Sequence, residues 1–139
     1  MNYFAYGSNI NLTHFRAFIK MSNGNPTEIT EPRRARLRGY RLRTNHYSSL
    51  HGAGACNIEV SPSDHVEGVV MTITPEILDL LRAKEGCPGV YEEIEVNLDS
   101  ARTSCSPALT YVVNPQKQLD EDLGVTAQYR NLILHGAKQ

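Results

Sequence analysis

The run Tyr3-Phe4-Ala5-Tyr6 reads as an aromatic, apolar strand at the N-terminus, and it breaks off at once in Gly7-Ser8-Asn9. Gly7 has access to backbone conformations closed to other residues and lets another group approach the main chain closely. Ser8 and Asn9 bring short polar side chains to the same point, where they can cap a following element. A strand that ends in this way is a common means of presenting backbone N–H groups to an anion or a carbonyl. The same residues also fit a strand, a turn and a helix cap with no chemistry attached.

The 139 residues correspond to one domain, 1–139, and a 40% apolar fraction supports a packed core and argues against disorder. A net charge of −1 gives no general electrostatic reason to bind nucleic acid or an anionic membrane. The basic stretch Arg33–Arg43 alternates charge with Leu37, Tyr40 and Leu42, as the solvated face of a strand does. Met1 runs directly into the strand pattern without a basic leader or a long apolar core, and no apolar run reaches membrane-spanning length. The cysteines, Cys56, Cys87 and Cys105, are odd in number and unclustered, so neither a disulfide framework nor a CxxC zinc site is implied. The expectation is a reduced cytoplasmic protein with no nucleic-acid or membrane partner.

Helical spacing of Leu12, Phe15, Phe18 and Ile19 predicts a helix over Asn11–Ile19, followed by a loop at Ser22–Pro26. Extended segments are expected at Arg34–Thr44 and Ala55–Val60, joined by Asn45–Gly54, which reads as a mobile loop over a site. Val66–Ile73 reads as a strand buried on both faces, with Gly68 its weak point. Thr74-Pro75 starts a helix, Thr as cap and Pro at the first position, and Gly86 ends it. Strands at Tyr91–Leu98 and Ala108–Val113 and a helix at Thr126–His135 complete a mixed, β-rich α/β domain.

Glu85 closes the Pro75–Glu85 helix, where the macrodipole disfavours a carboxylate by a few tenths to about 1 kcal/mol. That bias raises its pKa toward the range a general base needs, and burial in a cleft would raise it further. The competing reading is an exposed Glu neutralised by Lys84 or Arg82.

Taken together, Tyr6-Gly7-Ser8-Asn9, Glu85-Gly86 after a Leu-rich helix and the following Tyr91 resemble the γ-glutamylcyclotransferase (AIG2-like) family. The Gly39-Tyr40 pair within Ala35–Leu42, Gly54–Ile58, Val66-Glu67-Gly68-Val69-Val70, Tyr111, and Tyr129 ahead of Gly136-Ala137 are similar to further family segments in the same order. The resemblance implies a mixed α/β fold: a small, closed or nearly closed β-barrel with two or three flanking helices and a pocket at one end. It implies attack of a γ-glutamyl substrate's own α-amine on its γ-carbonyl, releasing 5-oxoproline and a free amine, without metal or organic cofactor. By motif match Glu85 is the catalytic base and acid. Tyr3, Ala5, Tyr6, Gly7, Ser8, Asn9, Tyr91 and Tyr129 are the substrate-binding candidates, the Tyr6–Asn9 loop holding either the α-carboxylate or the oxyanion. Each tyrosine wall would bring a hydroxyl for the substrate's carboxylate, Tyr111 being the weakest candidate.

Two departures stand out. Arg82 occupies the position, three before Glu85, where the family often has an acid. The chain also stops at Gln139, where family members commonly continue, which is expected to leave the pocket more open. The expected partner is a small γ-glutamyl molecule, and the protein a monomer or homodimer. The alternative is a binding module that keeps the pocket without turnover. A cysteine hydrolase at Cys87 lacks a histidine in catalytic context, and the spacing of His46, His51 and Cys56 lacks a fourth metal ligand.

Overall fold

A computed structural model describes residues 1–99 and 107–138; Cys105 lies outside the described residues. Five strands form one mixed sheet: β1 (Asn2–Ala5), β2 (Arg33–Ser48), β3 (Ala53–Thr72), β4 (Tyr91–Asn97) and β5 (Pro107–Val113), in the order β2-β3-β1-β5-β4. Among the described residues only the β1–β5 pairing is parallel. Among the described residues the two edges meet once, where Arg36 of β2 and Asp99 after β4 exchange backbone hydrogen bonds of 3.1 and 2.8 Å. One bridge brings the curled sheet near to closure without completing a barrel.

Three helices flank the sheet: α1 (Leu12–Met21), α2 (Pro75–Glu85) and α3 (Ala127–Ala137). Each starts on a short polar cap that takes an otherwise unpaired N–H, Asn11 from His14, Thr74 from Ile77 and Thr126 from Tyr129. Asn11 therefore caps α1, rather than Ser8 or Asn9, because a 3₁₀ turn at Ser8–Ile10 intervenes and frees the Asn9 side chain. Gly86, at φ 63°, ends α2 in the left-handed conformation expected of a C-terminal glycine.

The core falls into two clusters on the two faces of the sheet. Strand alternation sends Phe4 and Tyr6 into one, with Leu37, Ile58 and Tyr129, and Tyr3 and Ala5 into the other, with Phe15, Met71 and Leu81. Val66 and Val70 face the first cluster and Val69, Met71 and Ile73 the second, so β3 is covered on both faces over positions 68–71, while Glu67 and Thr72 on either side are exposed. Gly68 proves to be a close-approach position: a Cβ there would lie 2.4 Å from the Ala5 carbonyl oxygen and 2.6 Å from the Phe4 ring.

The long β2–β3 hairpin corrects one expectation. Asn45–Gly54 is mostly strand, and only the four residues at positions 49–52 form the connecting tip. Asn45 is buried because its side chain accepts from Asn57 Nδ2 (3.0 Å) and donates to the Leu119 carbonyl (3.2 Å), which ties this segment into the fold. The expected break in β3 is a four-residue bulge, 61–64, opposite Gly39. Four of the six β2 arginines pair with acids, Arg36 with Glu67, Arg38 with Asp99, Arg41 with Glu59, and Arg43 with Glu59 and Asp122. Of the residues that alternate with this charge, Leu37 is buried and Leu42 is 50% exposed.

Candidate active site

β1 is a central strand, and its carboxyl end delivers Tyr6 and Gly7 to a narrow chamber of about 50 Å³. Tyr3, Ser8, Asn9, Glu85, Tyr91 and Tyr129 complete the set of expected residues around it. Ala5 is the exception: it pairs with Val69 within the sheet and packs in the second core cluster, lining no part of the chamber. Cys56, Thr110 and Tyr111 also line it. A wider chamber of about 430 Å³ opens outward from the first and shares Ser8, Glu85, Tyr91 and Tyr129 with it. Its outer walls come from the end of the β2–β3 hairpin, including His46 of β2 and His51 of the tip, and from Lys84 and Lys117. The hairpin thus borders the site, as a braced wall.

Gly7 has φ −106°, outside the left-handed region, so its usefulness here is space. A Cβ on it would stand 3.6 Å from both the Cys56 Cβ and the Tyr129 hydroxyl, inside the chamber. The following 3₁₀ turn has no side-chain cap, which leaves its first N–H groups without a partner from the turn itself.

The tyrosine hydroxyls are already engaged. β1 pairs with β3 only from Val69 to Thr72, so the same edge of β3 lacks a strand neighbour around Cys56. Two side chains stand in for that strand: Tyr91 donates to the Cys56 carbonyl (2.8 Å), and the Cys56 N–H donates to the Tyr129 hydroxyl (3.1 Å). Tyr6 donates to the Tyr111 carbonyl (2.5 Å), and Tyr111 to Glu93 (2.7 Å). Of the expected walls, Tyr91 has therefore spent its proton on the backbone, whereas Tyr129 accepts there and also shares a hydrogen bond with the Cys56 side chain. Burial raises the pKa of Tyr3, Tyr91 and Tyr129 far above the ordinary phenol range, so all three are neutral.

Glu85 is half-buried at the junction of the two chambers. Desolvation raises its pKa, and the Lys84 ammonium partly opposes the rise. Arg82 does not neutralise it; its guanidinium pairs with Glu93 (2.9 Å) and Asp79 (3.5 Å). Lys84 turns instead to the Asn9 side-chain oxygen and lies 5.2 Å above the Phe18 ring. Asn9, 3% exposed, directs its amide nitrogen to the Tyr3 hydroxyl (3.0 Å) and, at a longer 3.4 Å, to Glu85 Oε1. Tyr3, Asn9, Lys84 and Glu85 form one connected polar group, a carboxylate held next to a donor and a cation.

Other candidates lie elsewhere or are otherwise occupied. Cys87 packs beside the second core cluster and lines neither chamber. The rings of His46 and His51 pack against Tyr91 and Tyr129, at centroid distances of 5.6 and 4.7 Å. Among the described residues no group of three His, Cys, Asp or Glu side chains is arranged to hold a metal, and no helix is long and apolar enough to cross a membrane. Sequence reasoning missed Cys56 as a site residue because its contribution is main-chain, and it missed Thr110 for want of any local signal. Lys84 carried one, a cation beside the key acid, read there only as a neutralising partner.

The sequence matches a family described as gamma-glutamyl cyclotransferase, AIG2-like, over residues 3–131. A solved structure named gamma-glutamyl cyclotransferase is 27% identical, with a TM-score of 0.84 over 99% of this chain and 78% of its own. An uncharacterized protein from Homo sapiens is 29% identical, with a TM-score of 0.81 over 99% of this chain and 78% of its own. YkqA from Bacillus subtilis, at 24% identity, shares the fold with a TM-score of 0.81 over 99% of this chain and 48% of its own. No protein of curated function matches the sequence.

Proposed function

The chain belongs to the gamma-glutamyl cyclotransferase, AIG2-like family, and on that footing we propose that it cleaves a γ-glutamyl amide or dipeptide, releasing 5-oxoproline and a free amine. The observation that carries this reading is Glu85, a desolvated carboxylate at the neck between a narrow chamber and a wide one. The narrow chamber takes the γ-glutamyl group and the wide one the amine to be released.

In this reading Glu85 removes a proton from the substrate's α-ammonium, because only the neutral amine is a nucleophile. Its raised pKa narrows the gap to the amine and makes the transfer less uphill. The amine nitrogen then bonds to the γ-carbon, and the carbonyl electrons move onto oxygen. Collapse of that oxyanion breaks the bond to the leaving nitrogen, which takes the proton back from Glu85; the ring nitrogen, still carrying two protons, gives one to the freed Glu85 carboxylate, and that proton passes on to the released amine as it becomes an ammonium. Ring closure needs one substrate rotamer, and aromatic walls around a narrow space favour a single one. The Gly7–Asn9 turn offers main-chain donors to a substrate oxygen. Asn9 orients the Glu85 carboxylate, and the Lys84 ammonium limits its pKa rise.

Incubation with γ-glutamyl amides and dipeptides, followed by chromatographic detection of 5-oxoproline, tests the reading. Stoichiometric appearance of 5-oxoproline and free amine is expected. Tight binding of the same compounds with no product after prolonged incubation would instead support a binding module.

A further inference from the structure

We propose that Lys84 is a positioning residue for Glu85 that acts through Asn9: its ammonium fixes which way the Asn9 amide points, and the amide in turn holds the carboxylate. The inference rests on the cyclotransferase reading for the use made of Glu85, and adds the residue that keeps this base in register. Lys84 and Glu85 are consecutive in the last turn of α2, and consecutive helical side chains do not face each other. Lys84 turns instead to the Asn9 side-chain oxygen, with its ammonium 5.2 Å above the Phe18 ring of α1. Among the described residues no carboxylate pairs with it. The titratable groups that bear on it are Glu85 and His14 of α1; burial lowers its pKa and the Glu85 carboxylate opposes the fall.

The Asn9 amide has an acceptor at one end and donors at the other, so its neighbours decide which end faces which. Tyr3 does not decide, because a hydroxyl accepts from the nitrogen (3.0 Å here) as readily as it donates to the oxygen. Glu85 decides only while it is ionised; once it has taken a proton, its O–H can donate to an amide oxygen instead. The Lys84 ammonium donates and never accepts, so it keeps the amide oxygen on its own side in both protonation states of Glu85. The amide nitrogen then faces Tyr3 and Glu85 Oε1 throughout the proton transfer. At 3.4 Å the bond to Oε1 is long, and it is kept in line by the fixed amide rather than by its own strength. A reversed amide would set its oxygen against the ionised carboxylate, acceptor against acceptor, and push Glu85 out of register.

The test is a double-mutant cycle on 5-oxoproline release from the parent's best γ-glutamyl substrate, with Tm and circular dichroism checking the fold. Lys84→Met keeps the length and removes the donors. It should lower kcat on the pH plateau about tenfold, the factor one hydrogen bond to a charged group supplies, with KM changed far less. In an Asn9→Ala background, itself slow, the same substitution should leave the plateau where Asn9→Ala put it, since no amide remains to be turned. Loss of the ammonium also raises the Glu85 pKa, so the acid limb should move up in both backgrounds. A moved limb with an unchanged plateau, or equal plateau losses in the two backgrounds, would overturn the inference and leave the cyclotransferase reading intact. Nuclear Overhauser contacts of the Asn9 amide protons read the lock without activity. In the parent the strongest should be to the Tyr3 ring and the Glu85 methylenes, and in Lys84→Met part of their intensity should pass to the side chain at position 84. Parent contacts strongest to Lys84, or an unchanged pattern in Lys84→Met, would overturn the inference, and the parent measurement stands even where the variant does not fold. If the parent releases no 5-oxoproline, the cyclotransferase reading fails and these contacts alone decide the lock.

Discussion

Replacing Tyr129 by Phe removes a single oxygen whose partner is a backbone group with no strand beside it. The Cys56 N–H is buried, faces the side of β3 that β1 does not reach, and has the Tyr129 hydroxyl as its acceptor at 3.1 Å. The ring of Tyr129, 5% exposed, stays in its core cluster in the variant, so the packing term is unchanged. What remains is the penalty for an orphaned buried donor, about 1–3 kcal/mol. For a domain of this size that corresponds to a fall in Tm of about 4 °C per kcal/mol, hence about 4–12 °C. Tyr91→Phe makes a sharp comparison, because it removes a donor from the Cys56 carbonyl instead. Under-satisfied carbonyls are tolerated better than orphaned N–H groups, so this variant should lose only about 0.5–1.5 kcal/mol. Urea unfolding followed by circular dichroism gives both values, with the m-value checking that the denatured state is unchanged. Equal losses, or a larger loss for Tyr91→Phe, would refute the idea that Tyr129 replaces a missing strand at this edge.

Gly136→Ala should destabilise by about 1–3 kcal/mol, because the new Cβ would stand 2.6 Å from the Asn11 backbone and displace α3, which carries Tyr129; thermal unfolding reads it. Gly7→Ala should fold with an unchanged Tm, since its Cβ meets nothing closer than 3.6 Å, yet bind γ-glutamyl compounds more weakly in calorimetry because that Cβ occupies the chamber. The pKa of Glu85 gives a signed pH effect. Desolvation raises it in the folded state, so the folded protein holds the proton more tightly than the unfolded chain does. The resulting stability is present at low pH and is lost as pH rises through the window between the ordinary carboxylate value and the raised one. Glu85→Gln should therefore be at least as stable as the parent at neutral pH, with any advantage shrinking as pH falls through that window, in denaturant titrations at a series of pH values.

The elements with local punctuation were legible in the sequence. Thr74-Pro75 and Gly86 bracket α2 at its observed ends, and the alternation of Ile94, Val96 and Leu98 marks β4. The Tyr6–Asn9 stop and Glu85 were legible as a pair only through the family resemblance, since nothing local to either says that they meet. Asn45–Gly54 misled because small and polar residues read as loop, while Asn45 in fact satisfies its side chain across β3 and toward Leu119. The engagement of Tyr91 and Tyr129 with Cys56 was not legible at all. It follows from where β1 ends relative to β3, a matter of register that periodicity within one strand does not carry.

The role of Glu85 is read most directly from the kcat/KM for 5-oxoproline release by Glu85→Gln beside the parent, on the parent's best γ-glutamyl substrate. The amide keeps the size and the hydrogen-bonding reach to Asn9 but cannot take a proton. The rate should fall by about 10²–10⁴, the range general acid–base catalysis supplies, while circular dichroism and Tm show the fold retained. A variant within a few-fold of the parent would contradict the assignment of Glu85 as the group that moves the proton.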